Sequence, residues 1–431
     1  MPPTLTAARA PARGGIDAHL MERLFKTRAR SLALTAHLSD ADQAVQSMPD
    51  ASPAKWHLAH TTWFFEAFLL RDHLPGYAPF DERYFYLFNS YYEHEGERHP
   101  RPQRGMITRP GAEEVRAYRA HVDERLEQLA SSVSGKAAAL VAERIELGIN
   151  HEEQHQELLL TDILHLFAQN PLNPAYAQGT PKSGPQGAAE ADWRGFDGGI
   201  VRVGHEKTGF AYDNEGPAHD ALVRPFRLSD RLVTNGEWLE FMEDGGYGTA
   251  TLWLSDGWAT VKAEGWRAPG YWRERDGEWR QKSLWGLQPV EDAAPVCHVS
   301  YYEADAFAHW AGKRLATEFE WELASADLPE TGNTVGTGQL RPLPAGHPDG
   351  GARQMFGDLW EWTSSPYAPY PGFKPAQGAI GEYNGKFMCN QMVLRGGSCT
   401  TPDGHVRRSY RNFFYPHQRW QFMGLRLAED G

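Results

Sequence analysis

Apolar residues recur at helical spacing through the first 170 or so residues of the chain. In "IDAHLMERLFKTRARSLALTAHL", Leu20, Leu24, Leu32 and Leu34 stand among charges, which predicts an amphipathic helix. "SPAKWHLAHTTWFFEAFLLRDHL" predicts a second helix, with Ser52 as its N-cap and Pro53 in its first turn. "GAEEVRAYRAHVDERLEQLASS" predicts a third, and "GKAAALVAERIELGINHEEQHQELLLTDILHLFAQ" a long fourth. Four helices with one longer connection, between the second and third, predict a bundle. The pattern then changes. "NPLNPAYAQGTPKSGPQGAAEAD" is rich in Pro, Gly and small residues and reads as an extended linker. From about Trp193 onward, short strand-like runs dense in Gly and Trp replace the helical period, and no fixed-period repeat is found. The expected division is residues 1–170, a helical bundle; 171–192, a linker; and 193–431, a compact α+β domain with much irregular structure.

Composition narrows the classes. A chain of 431 residues, 41 % of them hydrophobic, can bury two cores. The formal net charge of -13, with no long basic run, argues against nucleic acid as a partner. Cys297, Cys389 and Cys399 form no C-x-x-C pair and are odd in number, which suits a reducing compartment and a cytoplasmic enzyme. "MPPTLTAARAPARGG" has no apolar core of a leader, and no apolar run reaches membrane-spanning length.

The fourth helix carries the chemistry. His151-Glu152-Glu153-Gln154-His155 reads H-E-x-x-H, the signature of a zinc metalloprotease. Residues i and i+4 share a helix face, so both imidazoles can reach one ion; two hydrogen-bonded histidines on an ordinary helix would show the same spacing. A protease needs a third ligand downstream. Thr161 stands where the extended motif would place a histidine, and the segment that follows contains Asp162 but no glutamate. The third ligand can instead come from another bundle helix, where "KWHLAHTTWFFE" offers His57 and His60 among aromatic neighbours. Three neutral imidazoles on an octahedral ion leave three open positions, which suits Fe(II) activating oxygen. Zinc with a bound water is the chemical rival.

"SPAKWHLAHTTWFFE" and "HEEQHQELLLTDI" resemble the DinB-like iron-binding domain of the ergothioneine-biosynthesis sulfoxide synthases. The second half resembles the C-type-lectin-like fold of formylglycine-generating enzymes, or sulfatase-modifying factors. Its marks are "DNEGPAH", "VTNGEWLEFMEDGGY", "PVCHVSYYEADAFAHWAGKRLATEFEWELA", "FGDLWEWTSSPY" and "VLRGGS". The resemblance covers nearly the whole chain. It implies a four-helix bundle followed by that α+β domain. It also implies a non-haem Fe(II) enzyme that uses O2 to join a thiol to C2 of the imidazole of hercynine (Nα-trimethylhistidine), leaving a sulfoxide.

Carried over by position, the resemblance makes His60, His151 and His155 the iron ligands, with His60 rather than His57 matching the "LAH" histidine. It makes Gln154 and Asn412 contacts to hercynine, and places Arg101 and Arg104, in "ERHPRPQRG", where substrate-binding arginines stand. A guanidinium there can hold a cysteine carboxylate bidentately. Tyr91 and Tyr92 in "FNSYYEHEG" match tyrosines that approach the iron in the cysteine-using branch, where a proton donor is needed. Phe414 replaces the acidic residue with which another branch holds γ-glutamylcysteine, so free cysteine is the expected thiol. Thr401 and Val406 stand at the positions of the formylglycine-generating cysteine pair, so the second domain is expected to be a substrate-binding wall. The rivals are a γ-glutamylcysteine-using enzyme, an ovothiol-type enzyme that attacks C5 of histidine, and a zinc hydrolase. The ovothiol type usually carries a further methyltransferase domain, for which no sequence follows Gly431. A non-catalytic lectin-like binding module is the remaining class.

Overall fold

The computed structural model describes residues 15–181, 184, 190–346, 351–375, 378–382 and 384–431. Residues 1–14 of the expected bundle, and 182, 183 and 185–189 of the expected linker, lie outside the described residues.

The four helices form where their periodicity predicts. Helix α1 spans Ala18–Thr35, with the Asp17 side chain accepting from the His19 and Leu20 amides. Helix α2 begins as Ala54–Phe65, passes through a π turn at Glu66–Leu70 and ends at Arg71–His73. Its cap differs from expectation. Pro53 occupies the N-cap position, without a side-chain cap bond. Ser52 turns inward instead: its amide donates to Asp162 and its hydroxyl accepts from Arg104. Helix α3 spans Ala112–Ser132, and α4 runs Gly135–Ala168, about 50 Å long at 1.5 Å per residue.

Every residue of Ala54–Phe65 is buried, so α2 is the central rod of the bundle rather than an amphipathic wall. It lies against both α3 and α4. Gly148 permits the approach to α4: a Cβ there would stand 2.3 Å from the Phe65 ring. This close crossing lies one turn before His151.

The second half is built on two four-stranded sheets. In one, Trp193–Phe196 pairs with Phe226–Ser229, which pairs with the C-terminal strand Leu427–Asp430, which pairs with Arg314–Leu315. In the other, Asn412–Phe414, Met392–Arg395, Trp360–Pro366 and Met423–Gly424 are neighbours in that order. Trp238 is buried, and so are Trp321, Trp360 and Trp362, so the "WEW" and "EFEW" segments form core. Ser/Thr-x-x-Glu capping boxes start three helices, at Thr234, Ser300 and Thr317. Cys297 and Cys399 are buried, Cys389 is exposed, and all three are free thiols.

Side chains of α4 cross between the two halves. Glu157 Oε1 accepts from Trp360 Nε1 at 2.7 Å and from Ser398 Oγ at 2.6 Å, and Thr161 Oγ1 donates to Gln421 Oε1 at 2.9 Å. No helix among the described residues is long and apolar enough to cross a membrane.

Candidate metal centre and substrate cavity

Helix α2 brings His60, and α4 brings His151 and His155, to one buried point. One ligand nitrogen from each lies within 4.8 Å of the others. His60 and His151 are 0 % and 1 % exposed. Burial, reinforced by the neighbouring imidazoles, holds His60 and His155 well below the usual histidine range, and burial takes His151 down to about 3. All three are therefore neutral at pH 7, the state in which imidazole binds a metal.

Hydrogen bonds select the nitrogen that His60 and His155 offer. His60 Nδ1 lies 2.6 Å from the Phe88 carbonyl, an acceptor, so Nδ1 carries the proton and Nε2 is left without a partner. His155 Nδ1 lies 2.9 Å from His57 Nδ1, and His57 Nε2 lies 3.1 Å from Asp162 Oδ2, which also accepts from the Ser52 amide at 2.7 Å. The Asp162 Oδ2 that accepts from the Ser52 amide also accepts here, so His57 donates to it from Nε2 and accepts from His155 at Nδ1. His155 Nε2 then faces the cluster with its lone pair. His57, the other histidine of "KWHLAH", thus supports a member of the cluster instead of joining it.

The aromatic neighbours are ordered. His60 stacks on Trp56, centroids 4.6 Å apart at 11°, and on Trp63 at 5.5 Å and 15°. The Arg104 guanidinium lies 3.4 Å from the far face of Trp56 and donates to Ser52 Oγ and Ser90 Oγ at 2.9 and 3.0 Å. Phe64 packs on His151 at 4.7 Å.

Glu152 of the H-E-x-x-H motif points away from the histidines. Its carboxylate accepts from Arg119 Nη2 and Ser31 Oγ, both at 2.6 Å, and from Arg28 Nη1 at 3.0 Å. The two guanidiniums outweigh burial and hold its carboxyl below the usual range. A hydrolase would need this carboxylate beside the metal-bound water.

A cavity of about 210 Å³ opens on the triad at His155 and is walled by both halves of the chain. Tyr91, Arg101 and Gln154 line it from the bundle; Tyr410, Asn412 and Phe414 line it from the second half. Gln154 Nε2 donates to the Tyr410 hydroxyl, while Gln154 Oε1 is buried without a partner. Arg101 is exposed at the rim, donating to the Asp50 carbonyl at 2.5 Å. Arg104 is not among the lining residues and sits behind Trp56. Tyr92 is buried against Trp63 and Phe68 and lines, with His151, a separate cavity of about 890 Å³. The Tyr91 and Tyr92 rings pack 4.8 Å apart, so the pair straddles the two cavities. Burial raises the Tyr92 phenol, keeping it protonated. Sequence reasoning missed Tyr410, although it lies two residues before Asn412, and missed the support of His155 by His57 and Asp162. Both depend on contacts between segments remote in the chain.

A helical bundle carrying a three-histidine cluster beside a β-rich domain defines a protein of two fused parts. Residues 23–159 match the DinB superfamily, and residues 192–341 and 336–431 match the sulfatase-modifying factor enzyme 1-like domain. The hercynine oxygenase of Mycobacterium tuberculosis is 34 % identical over 94 % of this chain and 97 % of its own, and that of Mycolicibacterium smegmatis 35 % over 95 % and 98 %. The formylglycine-generating enzyme of Streptomyces coelicolor is 29 % identical over 52 % of this chain and 83 % of its own. The chain belongs to the hercynine oxygenase family and is an oxygenase. Both resemblances read from its motifs hold, and so does the expected fold class.

Proposed function

We propose that this protein is a non-haem Fe(II) sulfoxide synthase that joins the sulfur of cysteine to C2 of the imidazole of hercynine. The thiol and C2 each give up one hydrogen. One oxygen atom of O2 becomes the sulfoxide oxygen and the other leaves as water. The observation that carries this reading is the convergence of His60, His151 and His155 beside a cavity walled by both halves of the chain. The hercynine oxygenases similar over nearly their whole length support the same chemistry.

The residues present fit a divalent metal. The triad is neutral and buried, and its orphaned His60 Nε2 calls for a partner. His60, His151 and His155 would hold Fe(II), which supplies a Lewis-acidic centre able to take the thiol as thiolate and to activate oxygen. Gln154 and Asn412 both line the cavity and would hold hercynine, whose trimethylammonium group cannot donate hydrogen bonds. Arg101 at the rim would bind the cysteine carboxylate, with Arg104 bracing the Trp56 wall. Phe414 puts an apolar ring where a longer γ-glutamyl substrate would need a polar contact. Tyr91 and Tyr92, packed on each other and lining the two neighbouring cavities, are the proton donors this reading assigns. The bundle of residues 1–170 then supplies the metal and residues 193–431 the substrate wall, joined through 171–192, in a cytoplasmic enzyme.

The test is anaerobic reconstitution with Fe(II), then exposure to oxygen with hercynine and either cysteine or γ-glutamylcysteine. Mass spectrometry is expected to show a cysteine–hercynine adduct carrying one extra oxygen. Cysteine oxidised alone, with hercynine untouched, would overturn the proposal. An adduct only with γ-glutamylcysteine would overturn the thiol assignment.

A further inference from the structure

We infer that Glu382 and Lys386, from the second half of the chain, are positioning residues that hold Tyr91 at the substrate cavity by clamping the loop that carries it. The inference rests on the proposed reading of Tyr91 as a proton donor.

Tyr91 lies on a loop between the short helix Tyr84–Leu87 and the 3-10 turn Glu93–Glu95. A group on a loop is held less precisely than one on a helix or strand unless something outside the loop fixes it. The second half supplies that grip. The Glu382 carboxylate accepts from the Glu93 amide at 3.0 Å and the His94 amide at 3.1 Å, and lies 2.6 Å from His94 Nδ1. A backbone amide only donates, so the polarity of this contact is fixed. Burial acts to raise the Glu382 carboxyl, but its hydrogen bonds take it down to about 2, so it is ionised at neutral pH. The Lys386 ammonium donates to the Tyr91 carbonyl and to Glu382 Oε2, and lies 5.3 Å from the centroid of the Tyr91 ring. Phe387 meets the same ring edge-on at 5.3 Å.

The clamp is itself anchored to the second half. Asn384 is buried and donates to Asp213 Oδ1 at 2.7 Å. The Phe387 carbonyl accepts from Gln391 Nε2 at 3.2 Å, and its ring stacks on Phe413 at 6.0 Å. Tyr91 and Phe387 line the cavity, whereas Glu382 and Lys386 are not among its described lining residues. They act on the substrates through Tyr91. In the reaction the Tyr91 O–H bond breaks and its proton goes to the oxygen that leaves as water. The phenolate left behind is stabilised by the ammonium over its ring until solvent returns the proton.

Two measurements on the full-length protein test this. In the metal-free protein, hydrogen exchange at the Glu93 and His94 amides should quicken about 10-fold in Glu382→Ala. Unchanged exchange would overturn the clamp. In the iron-reconstituted protein, Glu382→Ala and Lys386→Met should each lower kcat for the cysteine–hercynine adduct about 10-fold. Anaerobic hercynine affinity and cysteine KM should stay within about twofold, because no substrate contact is lost. Lys386→Arg, which keeps the cation and a donor, should restore most of the rate. In a Tyr91→Phe background, Lys386→Met should have no further effect. A loss carried by hercynine affinity, an unchanged kcat, or an additive effect on Tyr91→Phe would each overturn the inference. Should Glu382→Ala not fold, Glu382→Gln, whose NH2 group cannot accept from an amide, takes its place in both measurements. If the wild type forms no adduct, or Tyr91→Phe forms it as fast as the wild type, the reading of Tyr91 fails and the inference falls with it. If Tyr91→Phe is slow and the clamp variants match the wild type, the inference alone fails.

Discussion

An imidazole binds a metal only through the nitrogen that its other hydrogen bond leaves free. At His60 a backbone carbonyl makes that choice; at His155 the choice passes through His57 to Asp162. His57→Phe removes the acceptor for His155 Nδ1–H and should weaken Fe(II) binding about 10- to 100-fold. His57→Asn keeps an oxygen close to the lost nitrogen and should restore most of it. Anaerobic competition with a chromogenic chelator reads both, and wild-type affinity in the Phe variant would show that His57 does not orient the cluster. His151 and His155 could be read from the chain because i,i+4 spacing is local, whereas His60 was picked out from His57 by the family motif. The role of His57 could not, because its partners stand 98 and 105 residues away.

Helix α4 shows how one helix serves three environments. His151 and His155 face His60, Glu152 faces α1 and α3, and Glu153, Gln154 and Glu157 face the second half. Glu152 neutralises two buried arginines, and removing one partner of such a cluster costs roughly 3–5 kcal/mol. Glu152→Gln should accordingly lower the thermal midpoint by several degrees, with or without metal. A zinc hydrolase would respond differently, losing peptidase activity while keeping its midpoint. The H-E-x-x-H string is compatible with either fate. Arg28 and Arg119, from two other helices, settle which way the carboxylate turns.

The two halves share one site, so their docking is part of its construction. Glu157→Ala would leave Trp360 Nε1 and Ser398 Oγ without their shared acceptor, at a cost of roughly 1–3 kcal/mol. Calorimetry should show one cooperative transition in the wild type and a broadened or split one in the variant; an unchanged profile would mean this contact does not couple the halves. Stability should also depend on pH through Asp358. Burial raises its carboxyl to about 6, against hydrogen bonds from Asn333 Nδ2 and the Leu343 amide. A raised carboxyl favours the folded state only while protonated, so its contribution is full below about pH 4 and is lost as pH rises through 6. Asp358→Asn retains an acceptor and cannot ionise. Its thermal midpoint should pull ahead of the wild type between pH 4 and 7, by an amount equivalent to about 3 kcal/mol at neutral pH. A constant gap across that range would assign the titration elsewhere.

The order of amino acids specified the four bundle helices, the change of architecture after residue 170 and the shared helix face of His151 and His155, because periodicity and i,i+4 spacing act over a few residues; only the family motif singled out His60 from His57. It also carried the motifs of both families. It misassigned Ser52, whose cap position is taken by Pro53 because Asp162 and Arg104 draw Ser52 inward. Folding alone put Arg104 behind Trp56, turned Glu152 from the histidine cluster and linked Gln154 to Tyr410 across 256 residues. Such outcomes depend on which donor meets which acceptor once distant segments pack, and nothing local in the chain encodes that meeting.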